Sequence, residues 1–357
     1  MRDRRRDVAT GRGAAVELVL TCAAGFEGVV DRALAEDEPE LERRGHESGL
    51  VRAAACPARA ARRLVGAGYL SGVHQVVVEQ PVRARSRDAV VDGLAAAVAV
   101  ATDGPILRPR SFRLRIMEAN QPVAVAPDPR RALERAVQRW VGAPVDARGG
   151  GGEVWVSLRR GDPVARLLLR LDDPGRRRTP AGALRPEVAG ALVRVVPPVD
   201  DEVFLDPFAG SGAVAAARAR YPHGRLVVSD AAAERARELR RRAARGDLGP
   251  RPEVHRWRVD GAMPSFAGAG TVDTIVTDPP WGVFGGTDDA TVAALYEAMA
   301  ASFDALLAPA GRLVVLVAEP DRLDAPLAGR GLAVASSFGV LVNGRKASVV
   351  TCRRLPA

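Results

Sequence analysis

Four consecutive residues, Asp278-Pro279-Pro280-Trp281, place a carboxylate, two rigid rings and an aromatic side chain after a mostly apolar, β-branched run at 272–277. The run is typical of a buried strand. The prolines make a rigid corner, where the carboxylate and a backbone carbonyl are acceptors beside a flat ring. Such a corner suits a planar exocyclic amino group, as found on adenine, cytosine or guanine. The candidate catalytic residues are therefore Asp278, Pro279, Pro280 and Trp281.

A second candidate site is the glycine-containing segment from Asp206 to Gly212, which lies between a predicted strand and a predicted helix. Its glycines let the backbone turn sharply and approach a ligand closely, and the next helix presents its N-terminus to polar ligand groups. Asp230 and Asp260 end the next two predicted strands, where they suit two ribose hydroxyls and an adenine amino group respectively. A solvent-exposed loop carboxylate is the alternative for Asp260. The candidate cofactor-binding residues are Asp206, Pro207, Phe208, Ala209, Gly210, Gly212, Asp230 and Asp260.

These residues need a scaffold that brings strand ends together. From residue 187 to residue 357, predicted strands alternate with predicted helices, and the chain closes with a hairpin around Val342-Asn343-Gly344. The alternation predicts an α/β fold with a doubly wound, mostly parallel sheet. Because parallel strands end at one edge of a sheet, the four acidic strand ends are expected to share one ligand crevice. Carboxylates there disfavour a phosphate-rich dinucleotide and favour a cationic sulfonium cofactor.

Residues 185–357 resemble the Rossmann-like methyltransferases that use S-adenosyl-L-methionine to modify exocyclic amino nitrogens of bases. The cofactor loop of that family matches Asp206–Gly212, and its (Asp/Asn)-Pro-Pro-aromatic motif matches Asp278–Trp281. The resemblance implies a seven-stranded sheet and S-adenosyl-L-methionine as the cofactor. It also implies that the carboxylate and the first proline's carbonyl hold the amino group with its lone pair aimed at the methyl group, while the tryptophan stacks on the base.

The N-terminal half carries most of the excess positive charge. Residues 1–184 contain 31 basic and 23 acidic residues, residues 185–357 contain 21 and 20, and the whole chain has a net charge of +9. A basic region beside a near-neutral domain indicates a polyanionic partner, most simply nucleic acid. A coding bias toward arginine is the alternative, but it does not explain the asymmetry. We expect a disordered basic tail at 1–14 and a linker at 173–186, which is rich in Asp, Pro, Gly and Arg.

Two α+β domains are predicted between the tail and the linker. Residues 15–80 have a β-α-β-α-β order and resemble the ferredoxin-like domain that precedes THUMP domains. Residues 81–172 resemble a THUMP domain, with the alternating strand 111–116 and the arginine-rich helix 128–140 as matching features. THUMP domains bind RNA, notably the acceptor end of tRNA, through basic surfaces. The resemblance therefore implies an RNA partner, and the candidate contacts, taken as a group, are Arg113, Arg115, Arg130, Arg131, Arg135 and Arg139.

The composition argues against several other classes of function. No run of 18 apolar residues occurs, so we expect no membrane span. The three cysteines are far apart and the four histidines are scattered, so neither a disulfide framework nor a metal site is indicated. Buried thiols in a reducing compartment fit this pattern, and we expect a cytoplasmic protein. The oligomeric state is left open.

Together the two resemblances predict a THUMP-containing, S-adenosyl-L-methionine-dependent guanine-N2 methyltransferase of tRNA. The alternatives are guanine-N2 methylation of ribosomal RNA, adenine-N6 or cytosine-N4 methylation of DNA, and RNA binding without catalysis. Many guanine-N2 enzymes of this kind carry a basic residue within a few positions of the Pro-Pro-aromatic-Gly motif. Here Gly282 is followed by residues 283–289, none of which is basic. The sequence therefore predicts how a methyl group moves but leaves the recognised base open.

Overall fold

The structure is a computed structural model that describes residues 16–56, 58–82, 86–119, 121–148, 151–159, 162–172, 182–281 and 289–354. The predicted tail, most of the predicted linker and the segment after the Pro-Pro-Trp motif lie outside the described residues. None of the described helices is long and apolar enough to cross a membrane. The chain divides into two compact units, which comprise residues 1–21, 34–67 and 72–176, and residues 22–33, 68–71 and 177–357.

The first unit contains an eight-stranded sheet and the helices beside it. In chain order these elements are β1 (Val16–Thr21), α1 (Glu27–Asp37, whose first residues group with the second unit), β2 (Glu42–Glu47), β3 (Leu50–Cys56), α2 (Ala58–Val65), β4 (Gly72–Pro81), α3 (Arg87–Ala99), β5 (Phe112–Glu118), β6 (Gln121–Pro122), α4 (Pro127–Val141), β7 (Gly152–Leu158) and β8 (Val164–Arg170). The strand order is β2-β3-β1-β4-β8-β7-β5-β6. Neighbouring strands are antiparallel except for β5 and β7, which are parallel.

Strand β5 shows how the sequence pattern sets the two faces of this sheet. Phe112, Leu114 and Ile116 are buried, whereas Arg113 and Arg115 between them are partly exposed. Successive side chains of a strand point to opposite faces, so the apolar set faces the core and the arginines face away from it. The alternation predicted for this strand is confirmed.

The two α+β domains predicted for this half contribute strands to one sheet. The boundary predicted between residues 80 and 81 lies at the end of β4, which pairs with β1 on one side and with β8 on the other. The division into two domains, and the THUMP-like character of the second, stay predictions. The sequence pattern does not predict β2, because all its residues are polar or glycine and exposed, and the strand is held by main-chain pairing with β3.

The second unit contains a seven-stranded sheet with helices. In chain order its elements are α5 (Pro186–Val193), β9 (Val203–Asp206), α6 (Ala213–Arg218), β10 (Arg225–Asp230), α7 (Ala233–Ala244), β11 (Glu253–Arg256), β12 (Val272–Thr277), α8 (Asp289–Leu306), β13 (Leu307–Val317), α9 (Asp321–Ala328), β14 (Leu332–Val342) and β15 (Arg345–Arg354). The strand order is β11-β10-β9-β12-β13-β15-β14.

The strand directions in this sheet confirm the predicted doubly wound fold. The five strands from β11 to β13 are parallel, and β14 and β15 form the antiparallel hairpin that closes the sheet. Apolar side chains of β12 and β13, including Ile275 and Leu313, form one core with Met299 and Phe303 of α8. The chain lays β10 and β11 on one side of β9 and β12 on the other, and ligands bind at such a switch point, beyond the carboxyl ends of the strands.

An ion-pair network lies at the opposite, amino edge of this sheet. Glu202 immediately precedes β9 and binds Arg218 at 2.7 Å, Arg312 of β13 and the Thr274 hydroxyl of β12 at 2.7 Å. Arg218 is fully buried, and it also donates to three backbone carbonyls. One carboxylate thus joins α6, β12 and β13 beside the first residue of β9.

Removal of this carboxylate should destabilise the fold severely. Glu202→Ala leaves the Arg218 charge buried without its ion partner, and such losses cost about 3–5 kcal/mol. Glu234→Ala is the matched control, because the pair of Glu234 with Arg237 on α7 is exposed and should contribute less than about 1 kcal/mol. The free energy of unfolding in urea measures both variants. Equal losses in the two variants would contradict the proposed importance of the network.

Candidate active site

A cavity of about 910 Å³ lies at the carboxyl edge of the second sheet. This volume is near the upper end of the range for small-molecule sites, roughly 300–1,000 Å³. Its walls come from the ends of β9, β10, β11 and β12, from the start of α8 and from the β14–β15 turn. Its lining residues include Phe208, Gly210, Asp230, Arg258, Asp278, Pro279, Pro280, Trp281, Asn343 and Arg345.

The residues of the Pro-Pro-Trp corner follow β12 directly and line this cavity together. The indole Nε1 of Trp281 donates to Asp278 Oδ1 at 2.9 Å and to the carbonyl of Leu316, on β13, at 3.2 Å. These two bonds fix the plane of the ring. Burial raises the pKa of Asp278 to about 7, against the opposing effect of the Trp281 hydrogen bond. The corner therefore presents a carboxylate that exchanges its proton near neutral pH.

Asp206 ends β9 but does not line the cavity, since its side chain is only 1% exposed. Its Oδ1 accepts hydrogen bonds from the Thr277 hydroxyl at 2.9 Å and from the Phe208 amide at 3.3 Å. Burial raises its pKa to about 7, and the charges of Asp278 and Asp230 push in the same direction. Asp206 therefore ties the end of β9 to the end of β12, behind the surface of the cavity.

The glycine-containing loop after β9 is anchored to β10 through Ser229. The Ala209 amide donates to the Ser229 carbonyl at 2.9 Å, and the Ser229 hydroxyl donates to the Pro207 carbonyl at 3.4 Å. Pro207 and Ala209 are both buried and lie behind the cavity, whereas Phe208 lies on its wall. The loop is thus bonded to β10 on the side away from the cavity, and its other side, which carries Phe208 and Gly210, faces the cavity.

The two glycines of this loop have different surroundings. Gly210, with a φ of 50°, lines the cavity, and a Cβ placed there would have no neighbour nearer than 3.9 Å. Gly212, with a φ of 79°, faces the core, where a Cβ would lie 2.7 Å from Leu248 and 2.9 Å from Leu239. Of the two, only Gly210 is placed for the close ligand approach predicted from the sequence, and Gly212 is required by packing and backbone conformation.

Asp230 ends β10 as predicted, but Asp260 does not end a strand, because β11 already ends at Arg256. Asp230 lines the cavity, and its two oxygens accept bonds from the amides of Gly210 at 3.1 Å and Ala232 at 2.8 Å. Asp260 is exposed, accepts a bond from the Ala262 amide, and is not among the residues that line the cavity. The structure therefore brings Asp230 to the candidate site and does not bring Asp260 into its lining.

Asp206, Asp230 and Asp278 close three adjacent strands, because β9 lies between β10 and β12. Adjacent strands are about 4.8 Å apart, so three carboxylates converge at one edge of the sheet. Burial, with the charges of Asp278 and Asp230, raises the pKa of Asp206, whereas a bound cation favours the ionised form of a carboxyl group. The arrangement therefore suits a positively charged ligand, as the sequence predicts.

Several cavity residues are not among the site residues predicted from the sequence. Arg258 follows β11, and Asn343 and Arg345 lie at the β14–β15 turn. The Asn343-Gly344 pair predicts a turn, but only the pairing of β15 with β13 brings that turn to the cavity.

Two of the arginines predicted to bind RNA are held by a carboxylate of the protein itself. Arg113 and Arg115 of β5 both bind Glu153 of β7, whose side chain is 4% exposed. Burial pushes the pKa of Glu153 upward, but hydrogen bonds from both arginines and from Trp155 outweigh it and lower the pKa. These two arginines therefore neutralise the buried carboxylate of Glu153, and this ion pairing is a structural role separate from the predicted RNA contact.

The other four predicted RNA contacts lie on α4. Arg130 binds Glu134 at 2.9 Å. Arg131, Arg135 and Arg139 are exposed and spaced by four residues, so they form a stripe along the helix. Arg131 has one carboxylate at 3.9 Å, and Arg135 and Arg139 have no ion-pair partner among the residues that the structure describes.

The raised pKa of Asp206 predicts a pH-dependent effect of Asp206→Asn on stability. The carboxyl ionises near pH 7 in the folded chain but near 3.9 when unfolded, so wild type loses stability as the pH rises from 5 to 8. Asparagine does not ionise, and its Oδ1 can still accept from Thr277 and Phe208. Relative to wild type, the variant should therefore gain roughly 2.5 kcal/mol of unfolding free energy between pH 5 and pH 8. Urea unfolding at both pH values measures this difference. A variant that is less stable relative to wild type at pH 8 than at pH 5 would contradict the prediction.

Comparisons with known proteins agree with this geometry. Residues 174–244 and 215–347 match a family described as "RMKL-like, methyltransferase domain". The chain is also 29% identical over 217 residues to a tRNA (guanine(6)-N2)-methyltransferase of Thermus thermophilus, a match that covers 59% of this chain and 63% of that relative. The chain thus spans less than two thirds of the length of this curated relative.

Solved structures show the same fold along nearly the whole chain. TrmN from Thermus thermophilus superposes with a TM-score of 0.77 at 24% identity, over 95% of this chain and all of that one. SMU.472 complexed with SAH superposes with a TM-score of 0.69 at 16% identity, over 97% of this chain and all of that one. The second unit therefore has the fold of these structures, and most of it is similar in sequence to the RMKL-like methyltransferase domain.

Proposed function

We propose that the protein transfers a methyl group from S-adenosyl-L-methionine to an exocyclic amino group of RNA, and that the target is guanine N2 in tRNA. The observation that carries the proposal is that the Asp278–Trp281 corner and Asp230 line one cavity, with Asp206 buried behind it. The corner provides acceptors for an amino group, and the acidic edge favours a cation. The similarity to a tRNA (guanine(6)-N2)-methyltransferase supports the same substrate class.

The residues of the acidic edge fit the cofactor. S-adenosyl-L-methionine supplies an electrophilic methyl group on a positively charged sulfur. Asp230 is placed to bind ribose hydroxyls, and Gly210 leaves the backbone open to close approach. Phe208 offers an apolar wall, and Asp206 behind it adds negative charge to the site. The carboxylates at this edge of the cavity therefore favour a sulfonium nucleoside over a phosphate-bearing ligand.

The corner acts on the amino group by positioning and by electrostatics. The Asp278 carboxylate and the Pro279 carbonyl each accept one N–H of the amine, which turns the nitrogen lone pair away from the ring. The Trp281 ring, whose indole is held by hydrogen bonds to Asp278 and Leu316, stacks on the base, an interaction worth about 1–3 kcal/mol. The nitrogen forms its bond to the methyl group as the carbon–sulfur bond breaks, and it then gives up one proton. Asp278, with a pKa near 7, is suited to receive that proton.

The first unit supplies the surface for RNA in this proposal. The exposed stripe on α4 carries three arginines at a spacing that can follow a phosphate backbone. The resemblance of residues 81–172 to THUMP domains points in the same direction. A tRNA-modifying activity also implies that the protein works in the cytoplasm, where its substrate is.

A methyl-transfer assay tests the proposed reaction. The protein should move labelled methyl groups from S-adenosyl-L-methionine to an unmodified tRNA transcript, and mass spectrometry of the digested nucleosides should find N2-methylguanosine. Asp278→Asn should lower kcat on the order of 10²-fold, because the carboxylate stabilises the developing positive charge. Asp321→Asn, at the exposed start of α9, is the control and should keep wild-type kcat.

Three outcomes would contradict the proposal. They are the absence of transfer to any RNA by wild type, methylated adenine or cytosine in duplex DNA as the main product, and full activity of Asp278→Asn. Ribosomal RNA fragments, assayed beside the tRNA at the same salt concentration, distinguish the two RNA classes.

The α4 stripe has its own test. Replacement of Arg131, Arg135 and Arg139 by glutamine removes three charges that would neutralise phosphates. The slope of log Kd plotted against log salt concentration should therefore decrease by about 2–3. The control replaces Arg237 and Arg241 of α7 and the following Arg245 by glutamine, since these exposed arginines are paired with carboxylates. Filter binding of tRNA over a salt series measures both variants. An equal change of slope in the two variants would contradict a specific role of α4.

A further inference from the structure

The strongest unassigned feature is the β14–β15 turn, which extends over the candidate active site. Ser348 of β15 pairs with Val317, the last residue of β13. Arg345 lies three residues earlier on β15, so it reaches about 10 Å past the end of β13 at about 3.4 Å per residue. The turn therefore rises above the sheet edge on the same side as the Pro-Pro-Trp corner.

The backbone of the turn makes it a rigid support. Asn343 and Gly344 have φ values of 50° and 79°, the two left-handed residues that a tight two-residue hairpin requires. The hairpin is paired from Leu332–Arg354 to Val342–Arg345, with one register shift between Val334 and Ser336, away from the turn. A side chain at the base of this turn is therefore held in place by the sheet itself.

Arg345 and Asn343 line the cavity that also contains Asp278 and Trp281. The Trp281 indole is bonded to the carbonyl of Leu316 near the end of β13, and β13 is the strand next to β15. The corner follows β12, and β13 lies between β12 and β15, so one strand separates the corner from the turn, and both line one cavity. The acidic strand ends lie on the opposite side of the corner, on β9 and β10.

The turn supplies the chemistry that the corner lacks. The corner offers acceptors, which grip an amino group on any base, and residues 283–289 after it contain no basic side chain. Guanine differs from adenine by presenting two acceptors, O6 and N7, and arginine is the side chain that binds this pair with two hydrogen bonds. Among the described residues that line the cavity, the cations are Arg258 and Arg345. Arg258 follows β11, on the far side of the acidic edge, which leaves Arg345 next to the corner.

We propose that Arg345, supported by Asn343, is the specificity-determining residue that reads the O6/N7 edge of a guanine whose 2-amino group lies at Asp278. This inference rests on the proposed function and deepens it. It assigns base choice to the closing hairpin rather than to the segment after the Pro-Pro-Trp motif. It also separates recognition of the base from the chemistry of transfer.

A base analogue separates these two roles experimentally. A tRNA assembled from synthetic pieces carries either guanosine or 2-aminopurine riboside at position 6, the position in the name of the Thermus thermophilus relative. 2-Aminopurine keeps the 2-amino group but lacks O6. Wild type should prefer guanosine by about tenfold or more in kcat/KM. Arg345→Ala should bring that preference toward one by losing much more activity on guanosine than on 2-aminopurine, which keeps only N7. Arg345→Lys should recover little of the preference, because lysine makes no planar pair of bonds.

Lys346→Ala is the matched control. It removes one positive charge from the next position, but Lys346 lines a different, smaller cleft with Ala24 and Gly25, so the preference for guanosine should stay at the wild-type value. Thermal melting and S-adenosyl-L-methionine affinity verify that each variant is folded.

The outcomes distinguish this assignment from the proposed function. If wild type methylates the guanosine tRNA and Arg345→Ala loses activity equally on both RNAs, Arg345 binds a phosphate or supports the fold, and the assignment is wrong. Rescue of activity by Arg345→Lys would likewise indicate a phosphate contact. If wild type methylates neither RNA, the proposed function itself fails and the assignment fails with it.

Discussion

The convergence of three carboxylates at the ends of adjacent parallel strands is the constraint on which the rest of the site depends. Parallel topology brings Asp206, Asp230 and Asp278 to one edge, where burial raises the pKa of Asp206 and Asp278 to about 7. Backbone amides, a threonine hydroxyl and an indole N–H offset part of this cost. The hydrogen bonds leave part of the unfavourable free energy of these carboxylates uncompensated, and a bound cation would lower it. The folded chain is therefore preorganised for a positively charged ligand.

The opposite edge of the same sheet makes that arrangement possible. Glu202, with Arg218 and Arg312, joins the amino-terminal sides of the strands whose far ends carry the site. The ion pairs make the amino edge rigid. A rigid sheet can hold the charged and polar side chains of the carboxyl edge in fixed positions. The antiparallel hairpin is also positioned by the sheet, because its pairing with β13 carries Arg345 past the end of the parallel strands and over the cavity.

Local sequence patterns predict the scaffold of this site better than its electrostatics. The β-branched run before Asp278 and the strand-helix alternation predict β12 and the doubly wound sheet, because both patterns repeat at the period of the element they form. They do not predict β2, whose polar residues are held only by main-chain pairing. The same patterns cannot show that Asp206 is buried while Asp260 is exposed. They also cannot bring Arg345 to the cavity, because that depends on pairing between distant strands.

Calorimetric titration with S-adenosyl-L-methionine and S-adenosyl-L-homocysteine between pH 6 and pH 8 tests the central claim most directly. The two ligands share the nucleoside and the amino acid, but only the first carries a positive sulfur. A cation favours ionised Asp278, so binding should release protons, and affinity for S-adenosyl-L-methionine should rise as the pH passes through about 7. Affinity for the neutral product should change much less. An equal pH dependence for both ligands, or no binding of either, would contradict the account.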